Sequence, residues 1–232
     1  MILSGQNDCL VVIPVLNEEK SVGGVIDMVK ENVRGVDILI VDDGSSDGTL
    51  EIACKKDVFV VSHPFNMGIG SSFQTGCLFA ENHGYRSIVR MDGDGQHAPE
   101  YLDAILAPVK NGSVDIAIGS RFLGKSKFKS SIGRLIGIYI ISRVLTIITR
   151  KPVTDPTSGF CAMNKKAFGF FSENCVDDYP EPDILMHHRE FRITEVPISI
   201  SRRSRGVSSI SPLKSVYYMC KVLFSLFVGI FR

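Results

Sequence analysis

Two hydrophobic patterns alternate along the first half of the chain. Apolar residues recur at helical spacing in the longer segments, and this predicts helices. The predicted helices cover 18–33, 49–55, 69–82 and 99–110. Continuous apolar runs between them predict strands buried on both faces, at 9–14, 37–41, 58–62, 87–91 and 115–119. This alternation predicts an α/β fold with a parallel, doubly wound sheet.

Polar residues follow the predicted strands at their carboxyl ends. In parallel sheets, ligands bind beyond these ends. A cap or a turn would explain any single cluster, because Asp, Asn, Ser and Gly serve both purposes. Their recurrence at five strand ends favours a ligand site at this edge of the sheet. The clusters are Asn17-Glu18, Asp42-Asp43-Gly44-Ser45, Asn66, Asp92-Gly93-Asp94 and Ser120-Arg121.

The chemistry at this edge does not match the common dinucleotide sites. No glycine follows the first strand, so the G-x-G-x-x-G pattern is absent there, and no Walker loop occurs in the chain. Asp92 and Asp94 instead form a D-x-D arrangement between a strand and a helix. Two such carboxylates can address one hard divalent cation that bridges a diphosphate, and Gln96 or His97 could add a ligand.

Charge is unevenly distributed along the 232 residues, although the net charge is only +1. Residues 1–115 sum to −9 and residues 155–195 to −4, whereas 116–154 and 196–232 sum to +8 and +6 without a single carboxylate. The two basic segments predict an anionic partner, either phosphate or a membrane surface. An apolar fraction of 44% excludes wholesale disorder and a polytopic membrane protein.

Two apolar segments in the second half suggest contact with a membrane. Residues 132–149 are strongly apolar, with Arg134 and Arg143 on opposite faces of a helix. Residues 213–231 place Lys214, Lys221 and Arg232 on one helical stripe, as in a helix that lies in the membrane interface. A helix docked on the protein or on another subunit, and a truncated transmembrane tail, are the alternatives.

Seven motifs together resemble a known family. The segments PVLNEE (14–19), DDGSSDGT (42–49), NMGIG (66–70), DGDGQH (92–97) and GSRF (119–122) follow one another as in family 2 glycosyltransferases with the GT-A fold. DPTSGF (155–160) and the segment 196–209 resemble the subgroup of dolichyl- and polyprenyl-phosphate sugar transferases. The resemblance implies a nucleotide-sugar donor, Mg²⁺ or Mn²⁺, and a single in-line displacement that inverts the anomeric centre.

The resemblance also implies roles for residues of the donor side. Asp42 and Asp43 would hold the base or the ribose, and the metal would be bound by Asp92, Asp94 and Gln96. The alternative to a metal-binding role for Gln96 is that it only occupies the start of a helix. The nucleotide-sugar-binding positions are Pro14, Asn17, Glu18, Asp42, Asp43, Asn66, Gly68, Gly70, Asp92 and Gly93.

On the acceptor side, the expected catalytic residues are Asp94 and Asp155. Asp155 would act as a base or orient the acceptor, unless it only caps its turn. The expected acceptor-phosphate contacts are Arg121, Arg134, Ser158 and Arg203, with a solvated basic face as the alternative for the arginines. A sugar hydroxyl would need a base, which Glu181 or Asp183 could also supply, whereas a phosphate acceptor needs cations more than a base.

These observations lead to one hypothesis with two alternatives. We expect a glycosyltransferase domain over 1–212, with a nucleotide-sugar half (1–120), an acceptor half (121–212) and a membrane-interface helix at 213–232. It would move one sugar from a UDP- or GDP-sugar to a polyprenyl phosphate or lipid-linked acceptor. The alternatives are transfer to a hydroxyl of a surface polysaccharide and a non-catalytic nucleotide-sugar-binding protein.

The expected setting follows from the same features. Six cysteines without a C-x-x-C pair favour a reducing compartment. We therefore expect a cytoplasmic protein, peripheral on the cytoplasmic face of the membrane. A nucleic-acid partner is not expected, and a homo-oligomer is left open.

Overall fold

Within the described residues, seven strands form one sheet. The computed structural model describes residues 7–95, 99–123, 131–174, 180–199 and 221–224. The strands are β1 (Cys9–Val15), β2 (Val36–Asp42), β3 (Phe59–Ser62), β4 (Ser87–Arg90), β5 (Ile116–Ser120), β6 (Cys161–Asn164) and β7 (Ile193–Pro197). The helices are α1 (Val22–Asn32), α2 (Thr49–Cys54), α3 (Ile69–Asn82), α4 (Leu102–Lys110), α5 (Ile132–Thr149), α6 (Lys165–Glu173) and α7 (Pro180–Met186).

The order of the strands brings two distant parts of the chain together. The order is β3-β2-β1-β4-β6-β5-β7, and β6 runs antiparallel to both of its neighbours while the other pairs are parallel. Because β6 is reversed, the chain enters it at the edge where β4 and β5 end. The segment 150–160, which leads into β6, therefore lies beside the carboxyl ends of those two strands.

Two apolar clusters cover the two faces of the sheet. On one face, Val11, Ile13 and Val89 pack with residues of α1 and α4. On the other face, Leu10 and Val12 pack with residues of α3, α5, α6 and α7. Burial on both faces explains why the strands appear in the sequence as continuous apolar runs rather than as alternating ones. The expectation of an α/β fold with a doubly wound, mostly parallel sheet is confirmed.

Two helices begin several residues later than predicted. The helix predicted from residue 18 begins at Val22, because residues 18–21 form a turn in which the Ser21 hydroxyl donates to the Glu18 carboxylate at 2.6 Å. The helix predicted from residue 99 begins with a 3₁₀ turn at Pro99–Tyr101 before α4. Residues 200–220 lie outside the described part, so the domain boundary at residue 212 stays a prediction.

Candidate active site

Hydrogen bonds join the loops that follow β1 and β2. Asn17 has a left-handed backbone, with φ of 55°, a conformation that asparagine tolerates better than most residues. Its side-chain oxygen accepts from the Ser46 N–H at 2.8 Å, and its own N–H donates to the Ser45 hydroxyl at 2.9 Å. The Glu18 N–H donates to the Thr49 hydroxyl at 2.8 Å. The first two predicted clusters therefore form one continuous wall.

Asp43 fixes the third loop of this wall. Its carboxylate accepts from the main-chain N–H groups of Met67 and Gly68, each at 2.9 Å. His63 contacts the same carboxylate through Nδ1 at 2.8 Å, and its Nε2 lies 2.9 Å from the Thr75 hydroxyl. His63 was not among the predicted site residues. Its position directly after a strand was the available signal, since each other polar cluster occupies such a position.

The remaining donor-side positions lie around Asp43. Asp42 is buried, and its carboxylate accepts from the Ser62 hydroxyl at 2.9 Å and from the Ser45 N–H at 3.3 Å. Asn66 is exposed beside Gly68, to whose N–H its side chain is bonded at 3.0 Å. Pro14 is buried in β1, and Gly70 is buried in the first turn of α3. The structure thus brings the donor-side positions to one edge of the sheet, while their contacts with a nucleotide stay predictions.

Asp92, Gly93 and Asp94 follow β4 at the same edge. Both aspartates are half-buried, and Gly93 is buried against the end of β1. A Cβ on Gly93 would lie 2.6 Å from a methyl of Val15 and 3.2 Å from the Pro14 carbonyl oxygen. Glycine is therefore required here, because the turn lies too close to Pro14 and Val15 for a larger side chain. The turn that bears the two carboxylates is consequently held directly against the loop that follows β1.

The two aspartates suit a magnesium or manganese ion. No group of three or more His, Cys, Asp and Glu side chains able to hold a metal occurs among the described residues. Two carboxylates are nevertheless an ordinary protein contribution for Mg²⁺, because substrate phosphates and water complete its shell. The main chain of Gly159 leaves room for the Asp92 carboxylate, since a Cβ there would lie 2.7 Å from Asp92 Oδ1. Gln96, the third predicted ligand, lies outside the described residues.

Asp155 and Arg121 form a buried ion pair beside this turn. The Arg121 guanidinium donates to both carboxylate oxygens of Asp155 at 2.6 Å, and the Arg121 main-chain N–H donates at 3.0 Å. Arg121 also reaches the Thr157 hydroxyl at 2.6 Å. Burial alone would lower the pKa of Arg121, but the bonds to Asp155 outweigh it and raise that pKa. The two residues were predicted to act separately on the acceptor, and the structure places them in contact.

Glu195 of β7 supports the segment that carries Asp155. Its carboxylate accepts from the Thr154 N–H at 2.9 Å, from the Thr154 hydroxyl at 2.9 Å and from the Asp155 N–H at 2.8 Å. Burial raises the pKa of Glu195, with a smaller contribution from the nearby charge of Asp155. The sequence contained no local sign of this role, because Glu195 lies about forty residues away from its partners.

A second buried ion pair lies beneath the aspartate turn. Arg90, at the end of β4, is 1% exposed and donates to the Glu181 carboxylate of α7 at 2.7 Å. Its Nε and Nη1 atoms have no hydrogen-bond partner within the described ranges. Burial works to lower the pKa of Arg90, but Glu181 and Asp92 raise it. Glu181, considered as a base from the sequence, is therefore engaged by Arg90, while Asp183 lies half-buried on the same helix.

The other predicted acceptor contacts have different surroundings. Ser158 is buried, and its hydroxyl finds no partner within the part of the chain that the structure describes. Arg134 is exposed in the first turn of α5, where its N–H donates to the Ser131 hydroxyl at 3.4 Å. Arg203 lies outside the described residues. The phosphate contacts of these three residues stay predictions.

Helix α5 has one buried and one exposed apolar face. At about 100° per residue, its buried residues Gly137, Ile138, Ile141 and Leu145 share one side of the helix. The opposite side, within an arc of about 100°, holds Ile132, Ile136, Tyr139, Ile140 and Ile147, all exposed. Arg143 lies on this exposed side, 5.0 Å from the centre of the Tyr139 ring. By length and hydropathy alone, α5 is the one helix in the described ranges that could cross a membrane.

Only residues 221–224 of the predicted C-terminal helix are described, and they are helical. Val222 is 2% exposed and belongs to the apolar cluster that includes Ile141 and Leu145 of α5. Phe224 is 69% exposed. This turn is thus docked on the protein through Val222 and keeps one large apolar side chain on the surface.

The chain resembles proteins of one family. The family model described as "Glycosyl transferase family 2" matches residues 10–170. Polyprenol monophosphomannose synthase of Mycolicibacterium smegmatis is 30% identical over 217 residues, which cover 87% of this chain and 80% of that protein. UDP-N-acetylglucosamine–dolichyl-phosphate N-acetylglucosaminyltransferase of Methanococcus voltae is 30% identical over 209 residues, covering 81% of this chain and 83% of its own length.

Solved structures share the fold at lower sequence identity. Glucosyl-3-phosphoglycerate synthase from Mycobacterium tuberculosis, crystallised with Mn²⁺, uridine diphosphate and phosphoglyceric acid, superimposes with a TM-score of 0.68 at 19% identity. The match covers 97% of this chain and 78% of that one. At this identity the similarity concerns the fold alone.

Proposed function

The chain belongs to glycosyltransferase family 2, and from this premise we propose that it transfers one sugar to a polyprenyl or dolichyl phosphate. The donor is a nucleoside diphosphate sugar carrying UDP or GDP. The observation that supports this proposal best is the buried Asp155–Arg121 pair. It engages one of the carboxylates that a hydroxyl acceptor could use as a base. The relatives named for polyprenol and dolichyl phosphate chemistry support the same acceptor class.

The two acceptor classes differ in whether a proton must be removed from the attacking oxygen. A sugar hydroxyl must lose a proton to a base within about 2.6–3.2 Å. Asp155 is 0% exposed and bonded through both oxygens, so it is poorly placed to take that proton. A phosphate monoester has its second pKa near ~6 and is mostly dianionic at neutral pH. It can attack directly, and no proton has to be removed.

The reaction is then a single in-line displacement. A phosphate oxygen of the acceptor bonds to the anomeric carbon while the bond from that carbon to the diphosphate oxygen breaks, which inverts the centre. Asp92 and Asp94 would hold Mg²⁺ or Mn²⁺, and the ion would supply Lewis-acid stabilisation of the charge on the departing diphosphate. The loops joined through Asn17 and Asp43 would hold the nucleotide. Ser158, Arg134 and Arg203 stay the candidate contacts of the acceptor phosphate.

A hydroxyl acceptor remains the second candidate because of Asp183. This carboxylate is half-buried in the first turn of α7 and lies on the same helix as Glu181. Transfer to a sugar hydroxyl of a surface polysaccharide would assign it the role of base. The two candidates differ in the bond that they form, so the product distinguishes them.

The test is transfer to a short-chain polyprenyl phosphate, with the same polyprenol lacking phosphate as the matched control acceptor. Donors are first selected from a panel of UDP- and GDP-sugars by thermal stabilisation in the presence of Mn²⁺. We expect a product that releases its sugar in mild acid and forms only from the phosphorylated acceptor. An acid-stable product, or transfer to saccharide acceptors alone, would contradict the proposal.

We further propose that the protein is peripheral on the cytoplasmic face of the membrane, with the exposed side of α5 in the interface. Five large apolar side chains on one helix side suit the lipid boundary, and Arg143 on that side suits anionic headgroups. Each such basic residue contributes about 1 kcal/mol near an anionic leaflet. The free cysteines of the described residues, Cys9, Cys54, Cys77 and Cys161, agree with a reducing compartment.

Vesicle binding tests this surface. The double change Ile136→Glu and Ile147→Glu places two charges on the same side of α5, three turns apart. We expect most of the protein to leave the vesicle fraction in flotation with anionic phospholipid vesicles. Leu78→Glu, an exposed apolar position on α3, is the matched control and should still float. If the double variant floats like the unchanged protein, the membrane role of α5 is wrong, and removal of residues 213–232 then tests the C-terminal segment.

A further inference from the structure

The reversed strand β6 places Gly159 directly beside Asp92. Strands β4 and β6 pair antiparallel with Arg90 opposite Cys161. Two residues further along this register, Asp92 lies opposite Gly159. The distances agree, because a Cβ built on Gly159 would lie 2.7 Å from Oδ1 and 3.2 Å from Oδ2 of Asp92. The Asp92 carboxylate therefore rests against the bare main chain of the acceptor-side segment.

Space, and not backbone conformation, is what requires glycine at position 159. Gly159 is not among the glycines with positive φ, so any residue could adopt its backbone. The atoms nearest to the missing Cβ all belong to Asp92: both carboxylate oxygens and the carbon between them, at 2.7 to 3.3 Å. The closest collision of a side chain at 159 would thus be with the Asp92 carboxylate, which is a candidate metal ligand.

The segment around Gly159 is held by hydrogen bonds on both sides. Asp155 is held by Arg121 and by Glu195, as described above. On the other side, the Phe160 carbonyl oxygen accepts from the Gly119 N–H of β5 at 2.8 Å. If a side chain is added at 159, we expect the Asp92 carboxylate to turn, because it is the far end of a side chain, whereas the segment is held through its main chain.

We propose that Gly159 is a positioning residue that sets the direction of the Asp92 carboxylate toward the divalent cation. The inference rests on the metal role in the proposed function. It makes the acceptor-side segment a wall of the donor-side metal site, so that the two halves of the active site meet at this contact. Partners that orient a metal ligand typically contribute 10–100-fold to metal affinity.

The experiment uses Gly159→Ala in the full chain, with Gly24→Ala as the matched control. A Cβ on Gly24 meets nothing within 4 Å, so the same chemical change there should be silent. Mn²⁺ binding is measured by electron paramagnetic resonance of the free ion, in the presence of UDP and, separately, of GDP. We expect Gly159→Ala to bind Mn²⁺ about 10–100-fold more weakly, and Gly24→Ala to bind it like the unchanged protein.

A double-variant cycle keeps the test decisive if Gly159→Ala is poorly folded. In an Asp92→Ala background the carboxylate is gone, so alanine at 159 should no longer lower the melting temperature. If Gly159→Ala binds Mn²⁺ normally, or lowers the melting temperature equally in both backgrounds, the inference is wrong. If the unchanged protein itself fails to bind Mn²⁺ with either UDP or GDP, the metal part of the proposed function is wrong instead.

Discussion

The two sides of the active site hold their carboxylates in different ways. On the donor side, Asp42 and Asp43 accept hydrogen bonds from main-chain N–H groups, one hydroxyl and one histidine. On the acceptor side, Asp155 is paired with Arg121 and Glu181 with Arg90. Main-chain donors fix a carboxylate and leave its negative charge in place, whereas an arginine neutralises it.

This difference changes the meaning of the charge pattern in the sequence. Residues 116–154 contain eight basic residues and no acidic one, which predicted an anionic partner, either phosphate or a membrane surface. Arg121 is one of these eight, yet its guanidinium is bonded to an aspartate just beyond that segment. The basic segment therefore offers less positive charge to a ligand than the count implies. Counting charges along a chain cannot detect pairs that form between segments.

The largest effect that the comparison predicts is at Asp94. We expect Asp94→Ala to abolish transfer and leave the melting temperature within a few degrees of the unchanged protein, because the carboxylate is half-buried at a turn and not part of the apolar core. Loss of a metal ligand removes the stabilisation of charge in the transition state, which is worth several kcal/mol. The measurement is initial rate at saturating donor over a range of Mn²⁺ concentrations.

The control for this variant is Asp103→Ala. Asp103 is exposed in the first turn of α4, so the same substitution removes a charge away from the site. Its rate should match that of the unchanged protein. Retained transfer by Asp94→Ala at saturating donor would exclude the metal role of the aspartate turn.

Most of the donor side could be predicted from the sequence because its signals are local. The strands β1 to β5 appear as apolar runs, and polar residues follow each run directly. Strands β6 and β7 were not predicted, because they lie beyond residues 9–119, where the alternation of strands and helices was interpreted. The reversal of β6 could not be predicted either, and it determines which loop meets Asp92.

The acceptor side could not be predicted in the same way because its partners are distant in sequence. Glu181 is 91 residues from Arg90, and Glu195 is about forty residues from Asp155. Arg90 itself was visible as a charged residue at the end of an apolar strand, and a buried guanidinium needs a counter-charge. That signal indicates that a partner exists and does not identify it. For this reason Asp155 and Arg121 were each assigned a separate role.

A smaller effect is expected on the free energy of unfolding when the Asp155–Arg121 pair of the acceptor side is broken. Arg121→Met leaves the Asp155 carboxylate buried without its counter-charge, and breaking such a pair costs about 3–5 kcal/mol. We expect Asp155→Asn to be destabilising for the converse reason. The double variant should recover much of this loss, because no unpaired charge remains. Urea unfolding of the four proteins measures the coupling, and additive effects of the two single changes would show that the pair does not act as a unit.

The same four proteins separate the two roles that Arg121 could have. If Arg121 only positions the segment 155–160 through Asp155, the double variant should regain transfer together with stability. If the guanidinium also contacts a phosphate of acceptor or donor, as the sequence predicted, transfer should stay low in a protein that is again well folded. A raised KM for the polyprenyl phosphate would then identify the acceptor, and a raised KM for the nucleotide sugar the donor. If stability and transfer recover together, the charge of Arg121 serves only to neutralise Asp155, and the acceptor side is neutralised as described above. If transfer stays low, that description is wrong.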